Sequence, residues 1–99
     1  MQLYANPQNP NHAKNNETFR RIVKEFPILK FHQPSPEKAP WHWQAKVGGD
    51  DPQLLNFWPH NLKGQRDGFK SVEGEDALIG IIHGAIADAA IEPFDLIED

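Results

Sequence analysis

A chain of 99 residues with 24% charged and 38% apolar side chains reads as one small soluble domain with a lean core. The absence of cysteine excludes disulfides, thiolate zinc sites and cysteine nucleophiles, and fits a cytoplasmic protein. A formal net charge of −4, with no Lys/Arg cluster larger than Arg20-Arg21, argues against a duplex-DNA binder, which gathers several cations against phosphates.

Residues 1–15 are rich in Asn, Gln and Pro. They are expected to be a flexible segment, held only if Leu3 or Tyr4 docks. A single α+β domain is expected over 16–99. Asn15 or Asn16 would cap a first helix, with Glu17 in its first turn. Phe19, Ile22, Val23 and Phe26 then fall at helical spacing, and Pro27 ends the run. Residues 28–33 alternate, with Leu29 and Phe31 on one side and Ile28, Lys30 and His32 on the other, as in a short strand. Pro34, Pro36 and Pro40 make the next connection irregular.

Trp41, Trp43, Ala45 and Val47 alternate with His42, Gln44 and Lys46, the period of a half-buried strand. Residues 48–52 turn the chain. A second strand over 53–58 carries bulky groups on both sides, which predicts a central or doubly covered position. Pro59 breaks its ladder. Leu62 to Arg66 suits a further short strand, with Asp67-Gly68 as its turn. Ser71 is the expected N-cap of the last helix, whose stripe is Leu78, Ile82, Ala85, Ile86 and Ala89 and whose stop is Pro93. Gly80 and Gly84 suit close packing, foremost against the sheet, with a homodimer through this helix as the alternative. The expected fold is α+β: a small antiparallel sheet of three to four strands packed on the C-terminal helix, with a short N-terminal helix at an edge or on the other face. No apolar signal segment is expected. No membrane association is expected either, because the longest apolar-rich run is interrupted by Gly80, His83, Gly84 and Asp88 and falls short of roughly 20 apolar residues.

Motifs exclude more than they assign. No GxxxxGK[ST] or GxGxxG is present, and no serine lies in a Gly-x-Ser-x-Gly elbow. The histidines His12, His32, His42, His60 and His83 show no paired ligand spacing. His32, His42 and His60 can converge with Asp50 or Asp51, but polar strand-face histidines are the default, and no metal, cofactor or catalytic residue is assigned. The segment 57–66 is the sharpest local feature. It gathers Trp58, His60, Lys63, Gln65 and Arg66, a composition shared by base-stacking surfaces, protein hot spots and an ordinary core with a solvated turn. Glu73, Glu75 and Asp76 form an acidic group next to it.

The runs WHWQAKV, LLNFWPHNLKGQRDG and SVEGEDAL, within residues 41–82, resemble small phage- and prophage-encoded proteins with an aromatic-rich hairpin and a C-terminal helix. Those often carry Thr-Thr after the proline, where this chain has His60-Asn61. The resemblance implies a phage origin and a β-β-(β)-α core, and it brings no catalytic residues. It also suggests an anti-CRISPR-like counter-defence role. The expectation is therefore a non-enzymatic binding protein of the host cytoplasm, an inhibitor of a host nucleic-acid-handling defence complex such as CRISPR-Cas. Its partner surface would be Trp58, His60, Lys63, Gln65, Arg66, Glu73, Glu75 and Asp76, the acids occupying a basic groove. The alternative is a small single-stranded nucleic-acid-binding module using Trp58, His60, Lys63, Gln65 and Arg66. A metal-dependent enzyme built on His32, His42 and His60 is third.

Overall fold

Alternating side chains form the sheet, and the apolar member of each alternation chooses the covered side. The computed structural model of the protein describes residues 1–48 and 52–98, with side chains described outside 90–98. Among them the order is α1 (His12–Glu25), β1 (Lys30–His32), β2 (Trp43–Val47), β3 (Gln53–Trp58), a 3-10 turn (Pro59–Asn61), β4 (Lys63–Arg66), β5 (Val72–Glu73) and α2 (Glu75–Glu98). The strands pair antiparallel in sequence order, β1 to β5, so the expected α+β fold is present with five strands rather than three to four. The added strand is β5, two residues that pair with the start of β4 and leave no periodicity to read.

Phe31, Ala45, Leu55 and Phe57 point to one face, as the alternation predicts. Phe57 and Leu55 are fully buried there, each such side chain contributing about 1.5–3 kcal/mol of transfer free energy. Both helices close this face. Phe19 of α1 lies 5.8 Å from Phe31 and 5.3 Å from Phe57, ring to ring, and Leu78, Ile82 and Ala85 of α2 complete the same core. The N-terminal helix thus lies on the same side of the sheet as α2 and not on the opposite face, and its Phe19 meets Phe31 of the edge strand β1. Its Phe26 meets His83 of α2 edge-on at 5.2 Å.

Four local expectations are corrected. Helix α1 starts at His12, because Asn9 closes an Asx turn: its Oδ1 accepts the Asn11 N–H and its carbonyl accepts the His12 N–H. Glu17 therefore sits beyond the first turn, and Asn15 and Asn16 are not caps. Ser71 does not cap α2, since Val72 and Glu73 are spent in β5. Gly74, at φ +102°, makes the bend instead, and its carbonyl accepts the Leu78 N–H. Helix α2 runs through Pro93, which removes one backbone donor without ending it. Finally, the glycine that admits the helix to the sheet is Gly64 on β4. A Cβ there would lie 2.5 Å from Leu78 Cδ2, whereas Gly80 has open space around it and Gly84 meets only Arg66. The expected turn 48–52 lies largely outside the described residues.

Candidate functional site

The second face of the sheet has no helix over it among the described residues, and its side chains fall into three rows. The first row runs Lys30, Lys46, Leu54 from β1 to β3. The second runs His32, Gln44, Asn56, Gln65 from β1 to β4. The third runs Trp58, Lys63, Glu73 from β3 to β5, with the His42 ring stacked on Trp58 at 5.0 Å and 8° between planes. Asn56 organises the centre. Its Oδ1 accepts from His42 Nε2 at 2.9 Å and from Gln44 Nε2 at 2.8 Å, which fixes the His42 ring against Trp58.

Cations outnumber acids on this face among the described residues. Lys30 and Lys46 stand directly opposite each other, an arrangement that like charges make unfavourable in a sheet. Both are exposed, and with Ile28, His32 and Gly48 they line a cleft of about 430 Å³. Lys30 on an edge strand also discourages edge-to-edge pairing, but Lys46, one strand inward, has no such use. Glu73 sits opposite Lys63 on this face, and exposed Asp67, whose N–H donates to the Leu54 carbonyl, follows at the end of β4.

A second cleft, of about 420 Å³, opens where β3 ends, and Trp58 belongs to it too. Its floor is the 3-10 turn, closed by Leu62 in the left-handed region at φ 50°. A non-glycine residue there costs on the order of 1–2 kcal/mol, so the turn is held by something else. Asparagines hold it. Asn9 Nδ2 and Asn15 Nδ2 both donate to the His60 carbonyl, at 3.0 and 2.9 Å, and Asn9 Nδ2 also reaches Asn61 Oδ1 at 2.8 Å. Asn16 Nδ2 donates to the Tyr4 carbonyl, which docks the N-terminal segment beside the cleft, and Leu3 is buried in the core. Tyr4 meets Trp41 and His60 edge-on, both at 5.5 Å. His60 is 6% exposed, and its Nδ1 is buried without a hydrogen-bond partner. Burial pushes its imidazole below the ordinary value of 6.5, and His12 nearby pushes the same way, so the ring is neutral at physiological pH.

The residues expected to form one partner surface are divided among three places. Trp58, Lys63, Gln65 and Glu73 share the open face, and His60 joins Trp58 in the cleft. Arg66 lies on the helix side. Its Nη2 donates to Gln53 Oε1 at 2.7 Å and pairs with Asp88 of α2, and its guanidinium covers the Phe69 ring at 4.6 Å. Glu75 lies 3.6 Å from Arg21, and Asp76 is exposed on the first turn of α2. The alternation of Lys63, Gly64, Gln65 and Arg66 already separates Arg66 from the other two, a signal that grouping by composition passes over. His42, Gln44, Lys30 and Lys46 were legible in the same way, as the polar members of two alternating strands. His32 and His42 stand on the open face and His60 in the cleft, and among the described residues no three His, Asp or Glu side chains gather as a metal site. Asp50 and Asp51 lie outside the described residues. No helix among them is long and apolar enough to cross a membrane. Comparison with family models, with curated proteins and with solved structures found no match for this chain.

Proposed function

We propose that the protein is a non-enzymatic binding module that takes a single-stranded nucleic acid across its open sheet face. The observation that carries this reading is the placement of both helices on one side, which leaves the other face without a helix among the described residues and bearing Lys30, Lys46 and Lys63 around the His42–Trp58 stack. Bases stack on aromatic faces whatever their identity, and a groove of cations follows the phosphates. The opposed pair Lys30 and Lys46 is a cost to folding that an anion relieves. Of the acids behind the net charge of −4, Glu25, Glu75, Asp76 and Asp88 lie on the helices, away from this face, while Glu73 lies on it opposite Lys63.

The reading of a phage-encoded inhibitor, whose acids enter a basic groove of a host defence complex, stands second. It draws on exposed Asp76 at the start of α2. Two acids of its set already face the protein's own cations, Glu73 opposite Lys63 and Glu75 beside Arg21.

Titration of tryptophan fluorescence with a single-stranded oligonucleotide at low salt tests the first reading. Quenching is expected, with Trp58→Ala weakening binding by about 1–3 kcal/mol. Three phosphate contacts predict a slope of log affinity against log salt of about −2. Unchanged fluorescence and no change in oligonucleotide anisotropy at low salt would refute it and leave the inhibitor reading ahead.

A further inference from the structure

The cleft at the end of β3 differs in chemistry from the sheet face that it adjoins. Tyr4, Gln8, Trp41, Trp58, His60 and Asn61 line it, and none of its lining side chains is an acid, a lysine or an arginine. Its volume of about 420 Å³ lies within the range of roughly 300–1,000 Å³ in which small-molecule sites fall. Trp41 is 37% exposed and so presents ring surface to an incoming group. Asn61 is exposed, and its Oδ1 is engaged by Asn9, which leaves the amide N–H groups to donate outward. Beneath them is a buried histidine side chain whose Nδ1 the protein does not satisfy. The same burial keeps that nitrogen out of reach of a cleft occupant, so hydrogen bonding to an occupant falls to Asn61. Together these features suit an uncharged planar ring with hydrogen-bonding edges.

Trp58 belongs both to the cleft and to the stack on the open face. A strand following the lysines would therefore reach the cleft at one end of its path. We propose that the cleft receives one unstacked nucleobase of that strand, held against Trp41 and Trp58 and read at its edge by Asn61. This rests on the single-strand reading above, and it adds a position at which the protein senses base identity. The lysines make backbone contacts and carry no sequence information.

The test is an abasic scan. Labelled single-stranded oligonucleotides, each lacking one base at a successive position, are titrated by anisotropy into the wild type, Trp41→Ala and Asn61→Ala. Both substituted residues are exposed, and folding of each variant is checked by circular dichroism. The wild type is expected to lose about fivefold or more in affinity at one position near an end of the footprint. Trp41→Ala should flatten that position, Asn61→Ala should alter base preference there, and both should leave the salt slope unchanged. A flat scan with intact binding overturns the base pocket alone and keeps the sheet-face reading, whereas absence of binding by every oligonucleotide overturns both. A flat scan combined with quenching of Trp41 by a neutral oligosaccharide assigns the cleft to a sugar and overturns the proposal.

Discussion

The two faces of the sheet are made from the same five strands and do opposite things. The helix-covered face is largely apolar, with Arg66 and Gln53 as a polar pair on it: Phe19, Phe31 and Phe57 meet ring to ring, and Leu55, Leu78 and Ile82 have no exposed surface. The other face has one buried amide, Asn56, and its imidazole and amide neighbours donate to it in a short network. The contrast shows how a small domain can hold its core on one side of a sheet and keep the other side polar. The apolar face carries the stability. The polar network keeps a histidine and a tryptophan stacked without a core behind them.

That division is sharpest in two positions of β3. Phe57→Ala on the covered face should cost about 3–5 kcal/mol in urea unfolding. Leu54→Ala, half-buried on the open face, should cost about 1 kcal/mol. Equal costs would mean that the open face also carries the fold.

A smaller effect is expected at the cleft, which belongs to neither face. The folded His60 resists protonation below its ordinary 6.5, so between the two values the unfolded chain holds more protons. Stability from this group is complete above 6.5 and declines as pH falls through that window. Urea midpoints measured between about pH 7.5 and about pH 5.5 should fall more steeply for the wild type than for His60→Gln. Parallel slopes would show that the ring is already solvated.

The smallest effect should have an unusual sign. Lys30→Ala removes one of two opposed cations and should raise stability by roughly 0.2–0.5 kcal/mol, while weakening oligonucleotide binding. A loss of stability would instead make Lys30 a structural edge residue.

Much of the architecture was open to reading because it is written in short-range periodicity. Trp43, Ala45 and Val47 alternate with Gln44 and Lys46, and the β3 bounds are those the residues predict. The Leu78, Ile82 and Ala85 stripe is buried as its spacing demands. Pro59 ends β3 as its missing donor requires. Local chemistry misled where two uses of one residue compete. Asn15 and Asn16 have the side chains of helix caps, yet one donates to the His60 carbonyl and the other to that of Tyr4. Ser71 has the side chain of a cap but precedes two residues taken into the sheet.

The candidate site was legible in part. Trp58 and Lys63 sit side by side because strands three to five residues apart in sequence pair closely, and their neighbourhood is visible in composition. The covered and open sides could be sorted by period, but which side the first helix would take could not. Period two says that two sets of residues face apart; it does not say which face a distant helix will find.

What the chain settled by itself is thus the set of elements and the two-sidedness of each, since those follow from backbone geometry over a few residues. The tertiary structure decided that both helices share one face, that Arg66 is spent on Asp88 and that asparagines near the N-terminus hold His60 and Asn61. The physical reason is separation: Asn9 and Asn15 bond a carbonyl 51 and 45 residues away, and such bonds arise only once the core has brought the segments together.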